Sequence, residues 1–150
     1  MPQSLVKNYL HITFSTKHRE PLISLDVEAE LHNYLAGICN NHECHPIKIG
    51  GYSDHVHVLC SLSRKIALIS LIEHLKTSSS KWIKTKNQKL KDFYWQGGYF
   101  AVSVNPADLQ KLIEYIENQR AHHDRTTYQH EVISLLKKNN IPYDDRYVWD

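Results

Sequence analysis

An α+β fold is predicted for this 150-residue chain by three observations. Strand-period and helix-period segments follow one another in the order strand, helix, strand, strand, helix, strand. Further helical segments come after the last strand, and Gly-Gly pairs with Asn, Asp and Ser mark the turns between. This order is the split β-α-β pattern of a ferredoxin-like (RRM-like) domain: an antiparallel sheet with its two early helices on one face. The length suits one domain, 1–150, able to bury roughly two thirds of its unfolded surface.

Each element has its own signal. Leu10, Ile12 and Phe14 alternate with His11, Thr13 and Ser15, which predicts a half-buried strand over 8–15. Ser24 or Asp26 caps a helix carrying Leu31, Leu35 and Ile38 on one side and ending near Asn40-Asn41, with Cys39 at its buried end. Strands are expected over 45–52 and 55–62, joined through Gly50-Gly51 and Ser53-Asp54. Ile66, Ile69, Leu71, Ile72 and Leu75 mark a second helix reaching the Trp82 region. Tyr99, Ala101, Val102 and Val104 form the last strand after Gly97-Gly98. Pro106 opens a third helix, as proline does at a first turn. A fourth helix spans 126–139, and the aromatic tail from Ile141 to Asp150 is expected to pack on the body.

In such a fold one sheet face stays open, and alternation along the strands assigns Tyr9, His11, Thr13, His55 and His57 to it. The pair His55 and His57 is the most informative feature. Two imidazoles at i and i+2 on one face are good ligands for divalent ions, and an amide oxygen beside them leaves positions free for a substrate. Tyr115 and Gln119 form an i, i+4 pair that brings a phenol and an amide together on the flank of the third helix's Leu109, Leu112, Ile113 and Ile116 stripe. A tyrosine, with a free pKa near ~10, needs activation to attack phosphorus at neutral pH, and a neighbouring ion supplies it. Cys39, His42, Cys44 and His45 lack the pairing of a structural zinc site.

The net charge is only +2, but Lys76, Lys81, Lys84, Lys86, Lys89 and Lys91 lie in one stretch with no acidic residue, the expected phosphate-contacting segment. Three irregularly spaced cysteines exclude a disulfide framework and point to a reducing cytoplasm. No apolar stretch approaches the ~20 residues of a membrane span, and the N-terminal residues do not read as a signal peptide. The glycine pairs lack the spacing of a phosphate-cradling loop.

Asp54-His55-Val56-His57 resembles the HUH signature, and Tyr115-Ile116-Glu117-Asn118-Gln119 the Tyr-x-x-x-Gln motif, of the single-tyrosine transposases of minimal bacterial and archaeal insertion sequences. Trp95-Gln96-Gly97-Gly98-Tyr99-Phe100 is similar to the segment before their catalytic helix. The resemblance implies a single-strand DNA transposase in which Tyr115 forms a 5′-phosphotyrosine link and releases a 3′-hydroxyl. It further implies that His55, His57 and Gln119 hold Mg²⁺ or Mn²⁺; Lys76, Lys81, Lys84 and Lys86 are expected DNA contacts from the charge of their stretch alone. Members are homodimers with joined sheets, commonly pairing the histidines of one subunit with the tyrosine of the other, and they recognise hairpins at element ends. The tail beyond Gln119 is longer than the smallest members need and is similar to that of the domesticated, palindrome-associated relatives, which bears on mobility and not on cleavage. Tyr128, Tyr143 and Tyr147 lack a Gln four residues on. Two other readings compete: a non-catalytic single-stranded nucleic-acid-binding module using Tyr9 and His11 as a stacking platform, and a metal hydrolase with water as nucleophile.

Overall fold

The computed structural model describes residues 2–150. Strands β1 (Tyr9–Ser15), β2 (His45–Tyr52), β3 (His55–Ser61) and β4 (Phe100–Val104) form one antiparallel sheet in the order β2-β3-β1-β4. Helices α1 (Leu25–Asn41) and α2 (Leu68–Ile83) connect them, and α3 (Leu109–Glu117), α4 (Gln119–His123) and α5 (Tyr128–Lys138) follow. This is the expected ferredoxin-like α+β arrangement, with strand and helix bounds within a few residues of the sequence reading.

The first sheet face carries the principal core. Leu10, Ile12 and Phe14 of β1 and Val56, Val58 and Cys60 of β3 pack against Leu31, Leu35 and Ile38 of α1 and Leu71, Ile72 and Leu75 of α2. Period-2 strand faces meet period-3.6 helix stripes here, so removing apolar area from water drives both elements together. Cys39 is fully buried at the end of α1, and Cys39, Cys44 and Cys60 are all free thiols.

The opposite face departs from expectation: it is not open. His11, Thr13, Ser15, His55 and His57 are each at most 2% exposed. Thr13 pairs with His57 and Ser15 with His55 in register, and the C-terminal helices lie over them. The cause is a second apolar cluster of Phe100, Tyr128, Val132 and Leu136, against which Ile141, Val148 and Trp149 pack. Tyr128, Val132 and Leu136 recur every four residues, so one stripe of α5 lands on β4. The tail is thereby fixed, with Arg19 lying 5.5 Å from the Trp149 ring centroid.

Two local readings also change. Pro106 opens a short 3₁₀ turn, capped by the Asn105 side chain accepting from Ala107 N at 2.9 Å, and the α-helix proper begins at Leu109. Asn118 (φ −93°, ψ 16°) then breaks the helix, so Tyr115 lies in the last turn of α3 and Gln119 begins α4. Of the anticipated α3 stripe only Ile116 is fully buried; Leu109, Leu112 and Ile113 are half-buried. Ile116 sits directly on Gly50 of β2, where an added Cβ would fall 2.6 Å from Ile116 Cγ2 and 2.7 Å from its carbonyl oxygen.

Two predictions follow from this packing. Because a backbone atom blocks the space, Gly50→Ala should push α3 off β2 and cost about 2 kcal/mol or more in denaturant unfolding. His11, packed edge-on to Phe100, is driven from its ordinary 6.5 to about 3 by burial and then by the neighbouring His57 charge. The unfolded chain therefore binds the extra proton between about pH 6.5 and 3. Stability from this group is complete above that window and falls with acid by up to about 1.4 kcal/mol per pH unit within it. Thermal unfolding across pH should show this slope, flattened in His11→Gln.

Candidate active site

The register of β1 and β3 places three imidazoles side by side, and their hydrogen bonds define the ring orientations. His55 Nδ1 lies 2.8 Å from Asp54 Oδ1, and His57 Nδ1 lies 2.8 Å from His11 Nε2. Asp54 accepts only, so the His55 Nδ1–H donates to it. Both Nε2 atoms then point away from the sheet toward the helices. An outer partner on one ring nitrogen, with the other directed into the site, is the usual arrangement around a metal-binding histidine. Burial keeps His57 below its ordinary pKa despite a carboxylate beside it, which favours the neutral, ligating form.

Gln119 and Tyr115 come to this point from α4 and α3. Gln119 Oε1 lies 2.8 Å from His55 Nε2, and its Nε2 donates to Glu131 Oε2 at 2.8 Å, which fixes the amide orientation. The Tyr115 ring stands edge-on to His57 with centroids 5.8 Å apart, and its hydroxyl donates to Glu131 Oε2. All four groups singled out in the sequence converge within a single chain. Burial first, and then the Glu131 charge, push the Tyr115 hydroxyl well above its ordinary value.

The residue at the centre, Glu131 of α5, was missed in the sequence. Its Oε1 lies 3.2 Å from His57 Nε2, 3.4 Å from His55 Nε2 and 2.9 Å from His123 Nε2. Burial pushes its carboxyl up, but hydrogen bonds from His123 and His57 and the nearby imidazoles outweigh this and hold it well below the carboxylate range. Opposing effects act on His123 too: burial disfavours its charge, and Glu131 raises it overall. His55, His57 and Glu131 offer ligand atoms within 4.8 Å of one another, as do His122, His123 and Glu131. A signal did exist: Glu131 falls within the Tyr128, Val132, Leu136 stripe, where a carboxylate has no reason to be buried without partners.

The lysines divide. Lys76 donates to the carbonyls of Gln96 and Gly98 at 2.8 Å each, and so holds the turn before β4. Gln96 in turn accepts from Ser15 N at 2.7 Å. These bonds give the Lys76 ammonium a structural role in that turn. Lys86 pairs with Glu30 at 2.6 Å. Lys81 is exposed, and Lys84 lies 4.4 Å from the ring centroid of exposed Tyr94. The remaining tyrosines are poorly placed: Tyr128 is buried with its hydroxyl 3.2 Å from Thr13 Oγ1, and Tyr143 and Tyr147 lie on the exposed tail.

A cleft of about 840 Å³ opens beside Tyr115 and Glu131, between α3, α5 and β4. Val104, Leu112 and Leu135 supply apolar wall, and Lys111 and Lys138 supply positive charge. Among the described residues no helix is long and apolar enough to cross a membrane.

The family model described as transposase IS200 like matches residues 4–119. The ISDra2 transposase TnpA of Deinococcus radiodurans is 25% identical over 120 residues, covering 77% of this chain and 84% of that protein. A crystal structure of a candidate transposase from D. radiodurans R1 superposes with a TM-score of 0.61 at 20% identity, covering 79% of this chain and 96% of that one. A REP-associated tyrosine transposase bound to a REP hairpin superposes with a TM-score of 0.60 at 15% identity, covering 82% and 73%. The sheet with its flanking helices is the fold of these structures, and the match from before β1 to the start of α4 shows that the chain belongs to the IS200-like transposase family.

Proposed function

We propose that this chain is a metal-dependent single-stranded DNA transposase with Tyr115 as nucleophile. The observation that carries this reading is the convergence of the Tyr115 hydroxyl, the Gln119 amide oxygen and the His55 and His57 Nε2 atoms around one point. The outer contacts to Asp54 and His11 engage the Nδ1 atoms and leave the two Nε2 atoms facing the site, a nitrogen and oxygen donor set that suits a borderline divalent ion. Mg²⁺ or Mn²⁺ held by His55, His57 and Gln119 would polarise a phosphoryl oxygen and offset the charge that builds in the transition state.

Tyr115 does the bond-making. Its oxygen attacks the scissile phosphorus in line, the phosphorus–O3′ bond breaks, and a 5′-phosphotyrosine ester and a free 3′-hydroxyl result. The phenolic proton already faces Glu131 Oε2, which gives it an acceptor, and the departing 3′-oxygen takes up a proton in exchange. The ester retains the energy of the broken diester, so a 3′-hydroxyl attacking it rejoins a strand without a nucleotide cofactor.

The cleft beside Tyr115 suits the nucleotides flanking the cleaved phosphate, with Lys111 and Lys138 facing the backbone. Hairpin DNA at element ends as the substrate class is supported by the REP hairpin on which the palindrome-associated neighbour was solved. The tyrosine acts in cis in this reading, since the histidines beside it belong to its own chain; a homodimer is not needed to complete the site. The non-catalytic module loses its support, because His11 of the supposed stacking platform is buried beneath α5.

Labelled single-stranded hairpin oligonucleotides incubated with the protein and Mn²⁺ should give a covalent adduct, seen as a shifted band on a denaturing gel and prevented by EDTA. Tyr115→Phe should abolish the adduct while leaving DNA affinity within about threefold, since only the attacking oxygen is removed. An adduct formed by Tyr115→Phe would reject Tyr115 as nucleophile.

A further inference from the structure

Gln119 Oε1 and Glu131 Oε1 both face His55 Nε2, at 2.8 and 3.4 Å. Both oxygens are acceptors: the carboxylate by nature, the amide because its NH₂ is committed to Glu131 Oε2. His55, His57 and Glu131 each offer a ligand atom within 4.8 Å of the others, two ring nitrogens and an oxygen grouped with the Gln119 oxygen around one small space.

The spacing fits an ion. Donor pairs at 2.8 Å (His55 with Gln119), 3.2 Å (His57 with Glu131) and 3.4 Å (His55 with Glu131) bracket the ~3.0 Å edge of an octahedron built on ~2.1 Å bonds. We infer that Glu131, supplied by α5, is the anionic ligand of the divalent-ion site, its Oε1 joining His55, His57 and Gln119 while its Oε2 positions the Tyr115 hydroxyl beside the ion. The inference rests on the metal-dependent reading above and adds a ligand that lies outside the segment matched by the family model, which ends at residue 119.

The charge balance gives the added ligand a consequence. Two imidazoles and an amide leave a divalent ion its full charge in a buried site, whereas a carboxylate halves it. His123 and its backbone partner, the Thr126 carbonyl 3.0 Å from Nδ1, hold Glu131 in position from the other side.

The experiment measures Mn²⁺ binding directly on the full chain, by the electron paramagnetic resonance signal of free Mn²⁺ and by calorimetry, without DNA. Glu131→Gln keeps the side-chain shape and should weaken Mn²⁺ binding at least about tenfold, while the double variant His55→Ala/His57→Ala should abolish it. Moving the charge, Glu131→Gln with Gln119→Glu, should restore most of the affinity, which a purely structural role for Glu131 would not allow. Melting in EDTA checks that each variant is folded, and the charge-moved variant decides the matter should Glu131→Gln alone be unstable. Unchanged or tighter Mn²⁺ binding by Glu131→Gln, with binding still lost in the histidine double variant, would overturn the inference and leave the proposed function standing. Mn²⁺ binding that survives the histidine double variant would overturn both.

Discussion

A single buried carboxylate holds the functional half of this molecule together. Glu131 meets His55 and His57 from the sheet, Tyr115 from α3, Gln119 and His123 from α4. An anion excluded from water at this depth is tolerated only with donors on every side. Its presence therefore fixes where each of these side chains stands, and α5 cannot lie elsewhere on the sheet without stranding the charge.

The two sheet faces accordingly follow different physics. The face under α1 and α2 is a dry apolar core, held by surface burial and tolerant of shape-conserving change. The face under α5 is a polar network at its centre with an apolar margin formed by Phe100, Val132 and Leu136. The margin anchors the helix; the centre holds the candidate active-site groups. Close approach of α3 to β2 at Gly50 sets the position of Tyr115 from the other edge.

Much of this was legible in the sequence. Strand alternation placed both histidines on one face, and the Tyr115 and Gln119 spacing brought phenol and amide to the same neighbourhood. That inference survives the helix break at Asn118, because one kinked turn still leaves both side chains directed at Glu131. Long-range pairing was not legible. Where α5 lands depends on contacts between residues far apart in the chain, Tyr128 with Thr13 and Val132 with the Phe100 cluster, and periodicity within a segment carries no information on its distant partner. The same limit applies to Lys76: its charge was visible, but not the backbone carbonyls to which it donates. Buried carboxylates are best sought as charges inside an otherwise apolar stripe, the pattern that Glu131 shows.

The distance in sequence between the imidazole pair and its carboxylate also bears on biosynthesis. Ribosomes deliver β1, α1, β2 and β3 first, and these can pair into three strands while α5 is still unmade. A chain at that stage would leave His55 and His57 on an uncovered sheet face, without the α5 side chains that bury them here. The carboxylate reaches the imidazole pair only once α5 has been made and has docked, so the site is completed after the sheet rather than with it.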